Sequence, residues 1–140
     1  MAKQIQITYD CGDVHRLCDW WAARLGYVVA DTDEVVRDLL DAGVITADDV
    51  MTHDGRLVFA TGAAASDPDG LGPRLYFQAV AEPKSAKNRV HLDISRGDQE
   101  LDEAIAEYVA AGAAFTGYGE HPGNRWAVMA DPEGNEFCIQ

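Results

Sequence analysis

Polar and apolar residues alternate at the start of the chain, and this pattern is typical of a half-buried β-strand. The alternating segment is Gln4–Asp10. A helical spacing of apolar residues follows over Val14–Leu25, with Asp13 as the expected N-cap and Gly26 as the expected stop. A second strand is predicted at Tyr27–Val29. The apolar positions of the first strand, which we expect to pack under the helix, are Ile5, Ile7 and Tyr9.

The same order of elements recurs in the second half of the chain. Apolar residues alternate again from Val90 to Ile94, and Asp98 is placed to cap a helix that Gly112 would end. A strand over Ala114–Tyr118 is predicted next. The repeated order of strand, helix and strand indicates two related halves. The apolar stripe of the second helix consists of Leu101, Ala104, Ile105, Tyr108 and Val109.

The downstream segments of the two halves match as well. Arg56–Ala60 is the expected counterpart of Arg125–Met129. Both are followed by a turn signal of aspartate, proline, an acidic residue and glycine, which begins at Asp67 and at Asp131. The last strands are expected at Arg74–Val80 and Glu136–Gln140.

The first half is longer than the second in two places. Asp33–Val50 is an insertion with a predicted helix over Glu34–Ala42, and Ala63–Pro73 is expected to be a long hairpin loop. Insertions at the ends of elements often form the rim of a binding site.

These patterns predict an α+β fold with two pseudo-symmetric βαβββ modules. We expect one domain over residues 1–140, with modules at about 4–80 and 89–140 and a linker at 81–88, because neither half alone would bury a sheet face. Twisted sheets of this size tend to curl, so a roughly eight-stranded half-barrel around a central cleft is predicted.

Alternation places polar side chains on the sheet faces that the helices leave uncovered. A face that collects amides, carboxylates, an imidazole and a thiol is either exposed to solvent or lines a cleft, and curvature favours the cleft. Trp126 is placed either to line this cleft as a stacking surface or to fill the core. The residues expected to bind a ligand are Gln6, Thr8, Tyr76, Gln78, His91, Asp93, Trp126 and Cys138.

This arrangement resembles the vicinal oxygen chelate superfamily, and within it the glyoxalase-like domains. The matching motifs are the strand Ile5–Thr8, the helix end Leu25–Tyr27, the second opening His91–Asp93 and the closing run Asp131–Cys138. The superfamily includes glyoxalase I, extradiol dioxygenases, fosfomycin-resistance transferases and bleomycin-resistance proteins. The resemblance implies a small-molecule-binding protein, either a metal-dependent lyase, isomerase or dioxygenase, a metal-free sequestration protein, or a non-catalytic dimeric module.

The resemblance also implies a divalent-metal site, with one ligand from the first strand and one from the last strand of each module. Those positions carry Gln6, Gln78, His91 and Cys138. The last of them is a glutamate in the family's enzymes, and Glu136 on the same face is the alternative to Cys138. Amide oxygens are weak ligands and a thiolate favours zinc-type metals. The candidate metals are zinc, nickel, manganese and iron, and a metal-free pocket is the alternative.

His91 and Cys138 each have a structural interpretation beside the chemical one, and the other histidines have only a structural one. His91 is either a metal ligand, a general acid–base group or a polar pocket residue hydrogen-bonded to Asp93. Cys138 is either a ligand, a nucleophile or a small buried filler. His15 lies on an amphipathic helix, where packing is expected, and His53 lies in a turn, where exposure is expected, as does His121.

The net charge limits the partners that we expect, and the cysteines and the hydropathy predict a location. The net charge is −13, and an acidic surface repels phosphate backbones and anionic lipids, so no nucleic acid or membrane partner is expected. Three cysteines without a C-x-x-C spacing, together with the lack of a long apolar stretch, predict a cytoplasmic protein with reduced thiols. The family resemblance implies a homodimer.

Overall fold

The computed structural model describes residues 1–140 and divides the chain into two compact units, Met1–Pro83 and Lys84–Gln140. The elements of the first unit are β1 Gln6–Cys11, α1 Val14–Leu25, β2 Val28–Val29, α2 Asp33–Asp41, a 3-10 turn Ala47–Asp49, β3 Val50–His53, β4 Arg56–Phe59, β5 Gly62–Ser66 and β6 Arg74–Ala79. The elements of the second unit are β7 Asp93–Ile94, α3 Leu101–Ala110, β8 Ala114–His121, β9 Asn124–Ala130 and β10 Glu136–Ile139.

Each unit contains a four-stranded sheet with the same topology. The strand order is β1-β6-β5-β2 in the first unit and β7-β10-β9-β8 in the second. In both sheets the first and last strands of the module run parallel, and the last strand pairs antiparallel with the strand before it. The predicted α+β fold of two βαβββ modules is confirmed. The predicted cleft shared by the two modules stays a prediction.

The third strand of the first module is not the one that the sequence predicts. Arg56–Phe59 pairs with β3 in a separate two-stranded sheet, and Gly62–Ser66 takes the place opposite β6. The expected match of Arg56–Ala60 with Arg125–Met129 is therefore wrong, and the expected loop over Ala63–Pro73 is too long, because its first four residues belong to β5 and only residues 67–73 form the loop. The physical reason is a two-residue turn, since Asp54 and Gly55 have φ of 47° and 78° and close β3 onto β4.

The first helix is fixed at both ends as the sequence predicts. The Oδ1 atom of Asp13 accepts a hydrogen bond from the backbone N–H of Arg16 at 3.1 Å, and Gly26 ends the helix at φ 70°. The buried face of α1 lies against β5 and β6, where Trp21 contacts Tyr9 at a ring distance of 5.6 Å. Burial of such a side chain stabilises the fold by about 1.5–3 kcal/mol. The largest fully buried side chains of this unit are Leu17, Cys18, Trp21, Val36, Leu75 and Phe77.

Helix α3, the helix of the second module, begins later in the chain than the sequence predicts. Its N-cap is Glu100 and not Asp98. Tyr108 on its buried face contacts Phe137 of β10 at a ring distance of 5.5 Å, which places the core of the second unit between α3 and the sheet.

The alternation rule is wrong at the outer end of each opening strand. Ile5 is 69% exposed and Val90 is 82% exposed, although both were predicted to pack under a helix. The paired part of β1 begins at Gln6 and that of β7 at Asp93. Ile5 and Val90 have no register partner on a neighbouring strand, so alternation does not decide which side they face. None of the helices combines the length and the apolar character that a membrane span requires.

Candidate functional site

The polar face of the first sheet brings together the predicted residues of β1 and β6. In the parallel register Gln6 lies opposite Arg74, Thr8 opposite Tyr76, and Asp10 opposite Gln78. The Gln6 amide oxygen accepts a hydrogen bond from Arg74, and the Gln78 amide donates to Asp10 at 3.4 Å.

Gln6 and Gln78 are not neighbours on this face. Asp10, the residue opposite Gln78, lies four positions beyond Gln6 along β1, which corresponds to about 13 Å of strand. Each amide also has a partner of its own. Their assignment as metal ligands stays a prediction, and their separation within the first sheet argues against a single metal shared by both.

The second unit collects the remaining predicted residues around one cavity of about 450 Å³, which we call the His91 cavity. Trp126 forms part of its wall. The Trp126 ring lies 5.1 Å from the ring of His121, and its backbone pairs with Gly119 on β8. Any Cβ on Gly119 would overlap this indole, so the glycine makes room for it. The lining residues are Lys87, His91, Asp93, His121, Asn124, Trp126, Val128, Glu136, Cys138 and Gln140.

Three of these side chains form a compact group, the His91 cluster, made of His91, Asp93 and Cys138. The Nδ1 atom of His91 lies 2.8 Å from Oδ1 of Asp93, and Asp93 is the register partner of Cys138 in the parallel β7–β10 pair. One nitrogen, one oxygen and one sulfur atom of the cluster all lie within 4.8 Å of one another. Burial, and then the neighbouring Asp93 carboxylate, raises the pKa of the Cys138 thiol.

Glu136 lines the same cavity but is engaged elsewhere. Its carboxylate accepts a hydrogen bond from the backbone N–H of Asn88 at 3.0 Å and lies 3.2 Å from Nζ of Lys84. The Asn88 hydrogen bond, with further help from Lys84, lowers the pKa of Glu136 to about 2. Asp93 is thus the carboxylate next to both the histidine and the thiol. The sequence analysis expected its pairing with His91 but did not name it as a metal ligand.

A buried turn fixes the strand that carries Cys138. Oδ1 of Asp131 accepts hydrogen bonds from the backbone N–H groups of Glu133 and Asn135, both at 2.9 Å. The side-chain amide of Asn135 donates to the same carboxylate. Asp131 is only 3% exposed, so the turn is a rigid start for β10 and for the position of Cys138.

Sequence reasoning missed a second cavity, which lies in the first unit and has a volume of about 380 Å³. We call it the His53 cavity. His53 is half-buried rather than exposed, and its Nε2 atom lies 2.6 Å from Oδ2 of Asp19. His15 is buried as expected but also lines this cavity. The sequence signal that could have found it is His53-Asp54-Gly55, where a hairpin turn holds a histidine next to a strand end.

The comparisons with known proteins agree with this fold. The family model described as a glyoxalase-like domain matches residues 6–140, whereas no curated protein matches the chain in sequence.

Among solved structures, a glyoxalase/bleomycin resistance protein/dioxygenase family enzyme from Burkholderia phytofirmans has a TM-score of 0.64 at 15% identity and covers 99% of this chain and 97% of its own. The fosfomycin resistance protein FosX from Mesorhizobium loti has a TM-score of 0.61 at 11% identity, with 100% and 91% covered. FosX from Listeria monocytogenes, complexed with Mn(II) and 1S,2S-dihydroxypropylphosphonic acid, has a TM-score of 0.62 at 10% identity, with 100% and 90% covered.

At these identities the structural likeness shows the fold alone, whereas the family model spans nearly the whole chain. The recurring βαβββ topology, the buried Asp-Pro-Glu-Gly-Asn turn and the family match lead to the same conclusion. The chain belongs to the glyoxalase-like domain family of the vicinal oxygen chelate superfamily.

Proposed function

We propose that the chain binds a small oxygenated molecule in the His91 cavity, with a zinc-type divalent metal held by His91, Asp93 and Cys138. The observation that supports this proposal is the approach of three different donor atoms to within 4.8 Å of one another in one cavity. An imidazole, a carboxylate and a thiol form a donor set that suits zinc and related borderline metals. Three protein ligands also leave a position for a substrate oxygen.

The residues of the cavity have distinct roles in this proposal. Nδ1 of His91 and Oδ1 of Asp93 lie 2.8 Å apart, and a metal held by both would take the place of the hydrogen atom between them. Trp126 and His121 form an aromatic wall against which the body of a small molecule packs. A bound divalent ion would supply Lewis acidity to a substrate oxygen.

The relatives support the class of ligand that we propose. The Listeria FosX structure contains Mn(II) together with a dihydroxylated phosphonic acid, which is a small oxygenated molecule. We infer that the present chain takes a ligand of the same broad class. Its cluster, however, contains a thiol, so the preferred metal is softer.

Metal analysis tests the proposal directly. The purified chain would be titrated with zinc, nickel, manganese and iron(II), and bound metal would be measured after desalting. We expect one equivalent of zinc in the wild type and at least about a tenfold loss of affinity in His91→Gln and Cys138→Ala. The matched control is His121→Gln, which changes a histidine of the same cavity outside the cluster. The metal site would be overturned if the wild type binds less than one equivalent of each metal tested, or if His91→Gln binds zinc as tightly as the wild type.

A metal-free sequestration protein is the second candidate function. It is favoured by the Trp126–His121 wall and by the net charge of −13, which attracts cationic aromatic compounds. Such a ligand would raise the thermal midpoint without metal, since binding stabilises by about 2.7 kcal/mol at one hundred times Kd. The absence of any shift with basic aromatic compounds in the presence of a chelator would count against this candidate.

The predicted homodimer and cytoplasmic location remain part of the proposal, and light scattering tests the oligomeric state.

A further inference from the structure

The His53 cavity is a separate feature from the proposed site, because all of its lining residues belong to the first unit. It is bordered by α1, by the β3–β4 hairpin and by β5, and its volume of about 380 Å³ lies within the range of small-molecule pockets. The hairpin belongs to the part of the first module that has no counterpart in the second. The histidines and charged residues of the lining are His15, Asp19, His53, Asp54, Arg56 and Arg74.

Two histidines of this cavity are held in defined tautomers. Nε2 of His53 lies 2.6 Å from a carboxylate oxygen of Asp19, and Nε2 of His15 lies 2.9 Å from the carbonyl oxygen of Phe59. Both partners accept hydrogen bonds only, so each Nε2 carries a hydrogen atom, and in the neutral form of either ring Nδ1 is the acceptor. The rings stack at 4.9 Å, and His15 is only 5% exposed.

Arg74 gives the lining a positive charge that no carboxylate of the chain neutralises. The lysine and arginine ion pairs of the structure involve Arg37, Arg56 and Lys84, but not Arg74. Arg74 instead donates to the neutral amide of Gln6 and lies 5.6 Å from the ring centre of Tyr76. Arg74 therefore brings a guanidinium charge without a paired carboxylate to the cavity lining.

We propose that the His53 cavity is a second small-molecule site, for an organic anion whose flat apolar body carries a hydroxyl group. Arg74 binds the carboxylate through charge-assisted hydrogen bonds. Nδ1 of His53 accepts the hydrogen bond of the hydroxyl group, and Asp19 is a positioning residue that keeps this nitrogen free of hydrogen. Val29, Val58 and Phe59 supply the apolar wall.

A pair of probes tests each part of the site on the full chain. The probes are 4-hydroxybenzoate and benzoate, and their dissociation constants would be measured from NMR chemical-shift titrations. We expect millimolar or tighter binding, with the hydroxylated probe preferred by about three- to tenfold, as one hydrogen bond allows.

Variants separate the roles of the three side chains. His53→Phe keeps a flat ring but no acceptor, so the preference for 4-hydroxybenzoate should vanish. In Asp19→Asn the amide donates to Nε2 and moves the hydrogen to Nδ1, so the preference should vanish there too, while benzoate should bind at least as tightly as in the wild type because a negative charge leaves the lining. Arg74→Gln should weaken both probes by about tenfold or more.

Controls decide between this site and non-specific binding. Arg16→Gln removes an exposed charge from α1 outside the cavity, and His91→Gln changes the other unit; both should bind the probes like the wild type. Imidazole ¹⁵N shifts should show hydrogen on Nε2 of His53 in the wild type and on Nδ1 in Asp19→Asn. The proposal is overturned by the absence of binding, by shifts centred on Trp126 and Val128, or by equal losses in Arg74→Gln and Arg16→Gln.

Discussion

The two units share one strand order but concentrate their chemistry in different places. In the second unit the reactive side chains are Asp93 on the first strand, Cys138 on the last strand, and His91 just before the first strand. In the first unit the corresponding strands carry amides and a tyrosine, and the histidine–carboxylate pair joins His53 at the end of β3 to Asp19 on α1. A repeated topology therefore fixes where backbones run, whereas side-chain choice and one inserted hairpin decide where polar groups gather.

The turns before the last strands show the same divergence. Asp67 accepts backbone hydrogen bonds from Asp69, Leu71 and Gly72 at 2.7–3.0 Å. Asp131 accepts from the equivalent turn in the second unit, but it is 3% exposed and bonds a buried side-chain amide as well. One sequence motif thus forms a partly solvated turn in one unit and a buried polar network in the other.

The largest effect that we expect comes from deleting the buried turn carboxylate. Asp131→Ala leaves the backbone N–H groups of Glu133 and Asn135 without their acceptor in a buried site, which should cost about 2–4 kcal/mol of unfolding free energy. Asp67→Ala should cost clearly less, because water replaces the carboxylate there. Urea unfolding of both variants measures the difference. Equal losses would show that the two turns are energetically equivalent.

A smaller effect is expected from filling the space under the aromatic residues of the two sheets. Gly119→Ala places a methyl group against the rigid Trp126 ring, whereas Gly62→Ala meets only the hydroxyl end of Tyr76, which can turn away. We expect Gly119→Ala to cost about 1–3 kcal/mol and to shift tryptophan emission, and Gly62→Ala to cost less. A larger loss in Gly62→Ala would mean that the tighter aromatic wall is in the first unit.

The smallest effect that we expect is on the pH dependence of the unfolding free energy. It separates the contacts of Glu136 in the second unit from the carboxylate hydrogen bonds of the first unit. A lowered pKa means that Glu136 stabilises the fold above its ordinary value of 4.5, and that this contribution is lost as the pH falls towards about 2. The loss should be about 1 kcal/mol, since the side chains of Lys84 and Glu136 are 26% and 24% exposed and water partly screens the pair.

Denaturation curves measured across this pH range test the assignment. Glu136→Gln should flatten the decrease in stability at low pH, and Glu133→Gln on the same turn is the control. The pKa values of Asp33 and Asp67 are also lowered by hydrogen bonds, so part of the pH dependence should persist in Glu136→Gln. An unchanged pH dependence in that variant would contradict the role of the Asn88 and Lys84 contacts.

Much of the fold could be predicted from local patterns. The helix over Val14–Leu25, its cap at Asp13 and its stop at Gly26 follow from spacing and from side-chain chemistry that act within a few residues. Alternation placed Cys138 on the uncovered face of the last strand but left Trp126 open between the cleft wall and the core, and the structure has both at one cavity. Alternation was wrong at Ile5 and Val90, because it depends on a neighbouring strand that those positions lack.

The sequence by itself determined the repeat, both ends of the first helix, the aspartate–proline turns and the family, because these depend on residue type and short-range spacing. Tertiary structure alone decided that β5 rather than β4 completes the first sheet, since that choice depends on which strand reaches β6. It also decided that Asp93 joins His91 and Cys138, and that His53 meets Asp19. Contacts between residues far apart in the chain depend on register and on the path of an insertion, and neither is written in local periodicity.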